Sequence, residues 1–293
     1  MNKIIFEGSA VALVTPYKNG RVNYAKLEEL IEFQIENGTD AILVTGTTGE
    51  ASTMTDEVQI NVIKHAARFV NKRVPLLAGA GSNDTRHGMK LNYMAQEAGA
   101  DALLSVTPYY NKTTQKGLIE HYSAIAGVVD IPVILYNVKS RTGVNIEPET
   151  VKVLSEIPNI CGIKECNFNQ VAKVRSLCGD NFAIYSGEDA LVVPLLSLGG
   201  NGVISVVSNI MPKEMSEMVH SFLNGDVKKA GSMQVNLLEL VEALFIEVNP
   251  IPVKTAMNMM GMNVGECISP LTTMEMDNYY KLKKVLKKYG LKN

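Results

Sequence analysis

The chain has 293 residues, of which 46% are hydrophobic and 20% charged, with a formal net charge of −2. That length suffices for a large core or two domains, although α/β barrels of this size commonly form one. The near-neutral balance argues against a general binder of nucleic acid or anionic membrane, and no apolar run approaches the roughly 18 residues of a membrane span.

Met1–Pro16 is apolar, but Glu7 interrupts it and no small-residue cleavage site follows, so it reads as a first strand and not a signal peptide. Short apolar runs then recur along the chain: Ala10–Val14, Ala41–Thr45, Pro75–Gly79, Ala102–Val106, Pro132–Tyr136, Ile160–Lys164, Ala183–Ser186 and Gly202–Val206. They are rich in Val, Ile and Leu and do not alternate with polar residues, the pattern of parallel strands buried on both faces. Asn37–Thr45 nearly repeats as Ala98–Thr107, and more loosely as Leu198–Val206, each giving a glycine-marked helix end followed by a strand. Helical patterns fill the gaps. Eight such units predict an α/β fold, a (β/α)8 TIM barrel.

Beyond residue 208 only helical patterns remain, over Pro212–Asn224, Asp226–Ile246, Pro252–Met260 and Met274–Tyr289. The expected organisation is a barrel over 1–224 and a C-terminal helical extension over 225–293 packed on it as one unit. The lysines of 281–292 alternate with Leu282, Val285, Leu286 and Leu291, as on the solvated face of a last helix. The fourteen methionines read as core and interface filler.

Cys161, Cys166, Cys178 and Cys267 match neither a zinc pattern nor a redox CxxC pair, so free thiols in a reducing cytoplasm are expected. His65, His87, His121 and His220 are scattered, and no metal site is expected. Ala78–Asn83 lacks the spacing of a dinucleotide-binding glycine loop, and no Walker-type GK[ST] occurs.

In a barrel of this kind the chemistry sits just beyond the C-terminal ends of the strands. Lys164 ends the sixth run, Ile160-Cys161-Gly162-Ile163-Lys164. Burial there disfavours the ammonium and leaves a reactive amine, as a Schiff-base lysine requires. The alternative is a barrel lysine paired with Glu50 or Glu165. Lys139 lies among polar neighbours in a loop, and Lys254 follows Asn249-Pro250-Ile251-Pro252-Val253 at the start of a helix. Gly46-Thr47-Thr48-Gly49-Glu50 follows the second run. It is either a loop whose hydroxyls and N–H groups hold a carboxylate, or an ordinary turn with Thr53 or Thr55 capping the next helix. Tyr109 and Tyr110 after the fourth run suit packing or a site, and Tyr136 ends the fifth, pointing into the barrel mouth. Arg141, on the following loop, is a carboxylate clamp or a surface ion-pair partner. Gly187 in Ser186-Gly187-Glu188-Asp189 would let a ligand approach the backbone.

In this order and on this strand pattern, the motifs resemble the dihydrodipicolinate synthase / N-acetylneuraminate lyase family of pyruvate-dependent class I aldolases. The resemblance runs from Gly8–Pro16 to Asn249–Lys254. Gly46–Glu50 and Tyr136–Gly143 look like the synthase branch, since the sialate lyase branch typically has serine in the position of Thr47 and lacks Arg141. The resemblance implies condensation of pyruvate with aspartate 4-semialdehyde to 4-hydroxy-tetrahydrodipicolinate, in lysine and diaminopimelate synthesis, with no cofactor. It implies that Lys164 forms the pyruvate imine and that Tyr136 acts as general acid/base. Thr47 would relay protons between Tyr136 and a Tyr110 reaching in from a neighbouring subunit, and Arg141 would bind the aldehyde's carboxylate. Thr48 would hold the pyruvate carboxylate, and Gly187 and Ile204 would line the site. A homotetramer of tight dimers is expected.

Three departures from the family pattern stand out. Lys139 replaces a usual proline, and Cys166-Asn167-Phe168 replaces a run of small residues near Lys164. Asp56, Gln59 and His87 occupy positions of the lysine-regulatory cleft, with Asn83 and Tyr109 kept, so weak or absent inhibition by lysine is expected. Two alternatives stay open: a sister aldolase acting on a sugar acid, which would want hydroxyl partners where Arg141 stands, and a barrel that binds a keto acid without turnover.

Overall fold

A computed structural model describes residues 4–291. Eight parallel strands close into a barrel: β1 (Gly8–Ala12), β2 (Ala41–Val44), β3 (Leu76–Gly79), β4 (Ala102–Val106), β5 (Val133–Asn137), β6 (Ile160–Glu165), β7 (Ala183–Ser186) and β8 (Gly202–Ser205). Each strand pairs with the next in sequence, and β8 returns to β1 with Gly8 opposite Gly202. All eight apolar runs are therefore strands, as their composition predicts.

The first strand begins and ends two residues earlier than the apolar run suggests. The reason is the seam: Gly8 and Gly202 both take positive φ, and a Cβ on Gly202 would lie 2.0 Å from the Gly8 carbonyl oxygen. Only glycine permits that approach. Leu13 and Val14 are apolar because they are buried, although they lie beyond the strand; the Val14 N–H donates to Asn209 Oδ1 at 3.0 Å.

Both faces of the barrel wall are apolar. The interior is filled by Ala10, Leu43, Leu77, Leu104, Ile134 and Tyr185 among others. Phe6 plugs the N-terminal end, stacked on Tyr185 at 4.3 Å between ring centroids. The outer face carries a second core shared with the helices, and that core continues through Leu237, Leu240, Leu282 and Leu286 of the C-terminal helices. These run over Val227–Leu244, Ile251–Met259 and Met276–Lys288. Helix starts follow their caps: Asn23, Thr55, Asp84, Thr114 and Asp226 each accept an N–H three residues on. Of the two threonines considered for the helix after β2, Thr55 is the cap.

A two-stranded hairpin, Tyr17–Lys18 with Arg21–Val22, was not anticipated. Its turn is Asn19-Gly20, both at positive φ, a dipeptide that signals a tight hairpin.

Lys254 is the main surprise. It does sit in the first turns of a helix, but it is 1% exposed, more buried than Lys164. Its Nζ pairs with Glu50 Oε1 at 2.8 Å and donates to the carbonyls of Glu266 (2.8 Å) and Thr15 (3.2 Å). Glu50 Oε2 in turn accepts the Ile268 N–H at 2.7 Å. The pair fastens the loop after β2 to the C-terminal helices. Replacing one member strands the other charge in the core, so Lys254→Met should destabilise the protein by about 3–5 kcal/mol. Urea unfolding checks this, and Lys254→Met with Glu50→Leu should recover a large part of the loss.

Candidate active site

Tyr136 and Lys164 are register partners on β5 and β6, so both project at the same level of the barrel. Lys164 is 6% exposed, and its Nζ lies 4.6 Å from the Tyr136 ring centroid. Among the described residues no carboxylate comes within ion-pairing distance of it. Glu50 is taken by Lys254. Glu165 accepts from Asn137 Nδ2 (2.8 Å), the Asn167 N–H (2.7 Å) and Gln170 Nε2 (2.7 Å). The alternative of a paired barrel lysine is therefore not what this geometry contains. Desolvation lowers the Lys164 pKa, against the opposing pull of the nearby acidic groups Cys166, Asp189 and Glu188. A desolvated amine with no ion-pair partner among the described residues is poised to act as a neutral nucleophile.

Burial pushes the Tyr136 phenol upward so that it stays protonated, against the opposing influence of the neighbouring Thr47 hydroxyl. The loop holding Thr47 and Thr48 is flanked by two non-glycine residues at positive φ, Thr45 (φ 53) and Glu50 (φ 59). The Glu50 conformation is sustained by its ion pair, which places strain where a binding loop must keep one shape. Thr48 is buried, and its Oγ1 accepts from Asn249 Nδ2 at 2.9 Å.

Arg141 is exposed on a single helical turn, Lys139–Thr142, closed by the Gly143 N–H on the Lys139 carbonyl at 2.8 Å. Lys139 is solvated, as expected, and it opens this turn. Arg141 Nη2 donates to the Asn249 carbonyl at 3.4 Å, and its charge acts on Tyr136 and Lys164. Gly187 stands where a side chain could not: a Cβ there would lie 2.3 Å from Cys166 Sγ and 3.1 Å from Lys164 Cε. Ile204 is buried in the barrel wall with Tyr136 and Tyr185. Lys164, Tyr136, Thr47 and Arg141 thus gather at one end of the barrel.

Tyr110 does not join them within its own chain. It is 92% exposed, in a left-handed conformation with φ 69, and makes no hydrogen bond among the described residues. His87 bridges Asp56 Oδ1 (2.8 Å) and Ser82 Oγ (2.9 Å), while Gln59 Nε2 donates to the Gly79 carbonyl at 2.7 Å. Asn83 Nδ2 donates to the Tyr109 carbonyl at 3.1 Å.

Three further residues border the site. Cys166 lies against Gly187 and neighbours the half-buried Glu188. Burial raises both the thiol, to about 12, and the Glu188 carboxyl. Asn249 reaches in from the C-terminal region. Its signal was the rigid Asn-Pro-Ile-Pro stretch, whose partners lie some 200 residues away.

The sequence matches the model of the dihydrodipicolinate synthetase family over residues 5–289. It is 60% identical, over 99% of this chain and 100% of that protein, to the 4-hydroxy-tetrahydrodipicolinate synthase of Acetivibrio thermocellus. Among solved structures it is similar to the dihydrodipicolinate synthase of Aquifex aeolicus, with TM-score 0.96, 47% identity and coverage of 98% and 99% of the two chains. It is also similar to the chloride-inhibited dihydrodipicolinate synthase of Acinetobacter baumannii complexed with pyruvate, with TM-score 0.95, 44% identity and coverage of 98% and 99%.

The crowding at Gly187 gives a direct test of the arrangement. Gly187→Ala should displace the Lys164 side chain and slow imine formation with a keto acid roughly ten- to a hundredfold. Adding Cys166→Ala removes the sulfur at 2.3 Å and should restore part of the rate. Rapid-quench borohydride trapping measures both.

Proposed function

This chain belongs to the dihydrodipicolinate synthetase family, and from that premise we propose that it condenses pyruvate with aspartate 4-semialdehyde to 4-hydroxy-tetrahydrodipicolinate, the lyase step that serves lysine and diaminopimelate synthesis. The observation that carries the reading is Lys164: a buried amine at a barrel strand end, with no counter-ion and a phenol beside it.

In the proposed reaction the Lys164 amine attacks the keto carbon of pyruvate. Water leaves, and the iminium becomes an electron sink. Loss of a methyl proton gives an enamine, whose carbon adds to the aldehyde. Tyr136, kept protonated by burial and neighboured by Thr47, exchanges protons with the carbinolamine oxygen. Thr48 holds the pyruvate carboxylate, and the Arg141 guanidinium suits a bidentate grip on the carboxylate of the semialdehyde. The bare Gly187 backbone and Ile204 form the wall. A sugar aldehyde has no anionic group to meet Arg141, which favours the carboxylate-bearing substrate.

We further read the assembly as a homotetramer of tight dimers in which Tyr110 enters the site of a neighbour. An aromatic side chain held almost wholly in solvent on a left-handed backbone suits a residue whose contacts lie on another chain. A cytoplasmic location fits the four free cysteines. Among the described residues no helix is long and apolar enough to cross a membrane.

Incubation with pyruvate, borohydride reduction and peptide mass spectrometry should place the adduct on Lys164; an adduct on Lys139 or Lys254, or none, overturns the reading. Because burial lowers the Lys164 pKa, the ammonium, which cannot attack, gives way to the amine at lower pH than for a free lysine. The rate of trapping should therefore rise through a midpoint below the ordinary value of roughly 10.4 and then level. Tyr110→Phe should fold normally and lose most turnover, while wild-type-like turnover removes it from the relay. Asp56 is already engaged by His87 and Lys90, so steady-state activity should persist in millimolar lysine.

A further inference from the structure

Asn249 lies between the helices Val227–Leu244 and Ile251–Met259, outside the eight strands, yet it touches two loops of the candidate site. Its side-chain Nδ2 donates to Thr48 Oγ1 at 2.9 Å, and its main-chain carbonyl accepts from Arg141 Nη2 at 3.4 Å. The side chain is 6% exposed, and its Oδ1 is buried without a hydrogen-bond partner. One helical turn further on, Lys254 is clamped to Glu50, two residues from Thr48. The two contacts form adjacent rungs between the same loop and the same C-terminal segment.

A hydroxyl has one proton to give and lone pairs to accept with. Here the Asn249 amide occupies one accepting lone pair of Thr48, and among the described residues no acceptor takes the Thr48 proton. We propose that Asn249 is a positioning residue that orients the Thr48 hydroxyl with its proton free, so that the proton is presented to the carboxylate of the keto acid. This rests on the reading of Thr48 as the pyruvate carboxylate's partner. A residue present only to fill space would not leave an amide oxygen buried and unpaired, because that oxygen carries an uncompensated desolvation penalty. The amide is instead oriented by what its nitrogen does. An anion bound by a hydroxyl aimed in advance loses less entropy on binding than one bound by a free rotor.

The test compares Asn249→Ala, Asn249→Asp and Thr48→Val by steady-state kinetics with each substrate varied. Asn249→Ala should raise the pyruvate KM about tenfold, with a smaller change in kcat. The KM for the aldehyde should stay near wild type, because the carbonyl used by Arg141 belongs to the main chain and survives the substitution. Asn249→Asp, though nearly isosteric, should be worse than alanine: a carboxylate captures the Thr48 proton and adds like charge beside the bound anion. In the Thr48→Val background, Asn249→Ala should change the pyruvate KM less than about twofold, since the group it acts through is gone.

An unchanged pyruvate KM in Asn249→Ala, equal losses for both substrates, or penalties that multiply in the Thr48→Val background overturn the proposal. Should the Asn249 variants fail to fold, Thr48→Ser and Thr48→Val decide it: serine should keep the wild-type KM, and a valine variant that also keeps it overturns the proposal. Borohydride trapping of the wild type separates this from the parent reading. Absence of a Lys164 adduct overturns both, whereas an adduct with unaltered variant KM overturns this one alone.

Discussion

The ion pair between Glu50 and Lys254 is the contact on which the geometry of the site depends. Both side chains are fully out of water, and such a pair persists only when its remaining donors and acceptors are satisfied. They are: Lys254 also donates to two carbonyls, and Glu50 also accepts a backbone N–H. The consequence is twofold. The loop carrying Thr47 and Thr48 is fastened at its end to the C-terminal helices, and a carboxylate just beyond β2 is withdrawn from the barrel mouth.

That withdrawal leaves Lys164 uncompensated. With Glu50 held by Lys254 and Glu165 turned to Asn137, Asn167 and Gln170, the acidic groups that act on Lys164 are Glu188, Asp189 and Cys166. Glu188 is half-buried and has its own pKa raised by burial, while Asp189 is committed to Ser205 and the Val206 N–H. Desolvation therefore outweighs attraction at Lys164. The chain contains two buried lysines with opposite fates. One is neutralised by a partner and serves the fold; the other has none and offers its amine for the proposed imine.

The C-terminal helices do more than thicken the barrel. Through Asn249 they reach Thr48 and Arg141, and through Lys254 they reach Glu50, so two loops of the mouth are referenced to one short segment. A (β/α)8 barrel supplies a rigid wall but lets its loops vary. Here the loops are kept in register by a part of the chain that contributes no strand.

The barrel was legible in the sequence because its cause is local. Each strand is a few consecutive apolar residues buried on both faces, and composition reports that burial directly. The strand-end position of Lys164 followed from the same signal, and the motif order carried the family resemblance. Composition does not report pairing, however, so the first strand was placed two residues late, where Leu13 and Val14 are buried but lie past the strand's end at Ala12. The hairpin at Asn19-Gly20 was not anticipated, although the Asn-Gly dipeptide that turns it is a local signal. Tertiary structure alone decided which lysine has a partner, where Glu50 and Glu165 point, that Cys166 fills the space beside Gly187, and that Asn249 meets Thr48. Two of these contacts, Asn249 with Thr48 and Lys254 with Glu50, join side chains some 200 residues apart. No periodicity or spacing within a window of sequence encodes a contact at that separation.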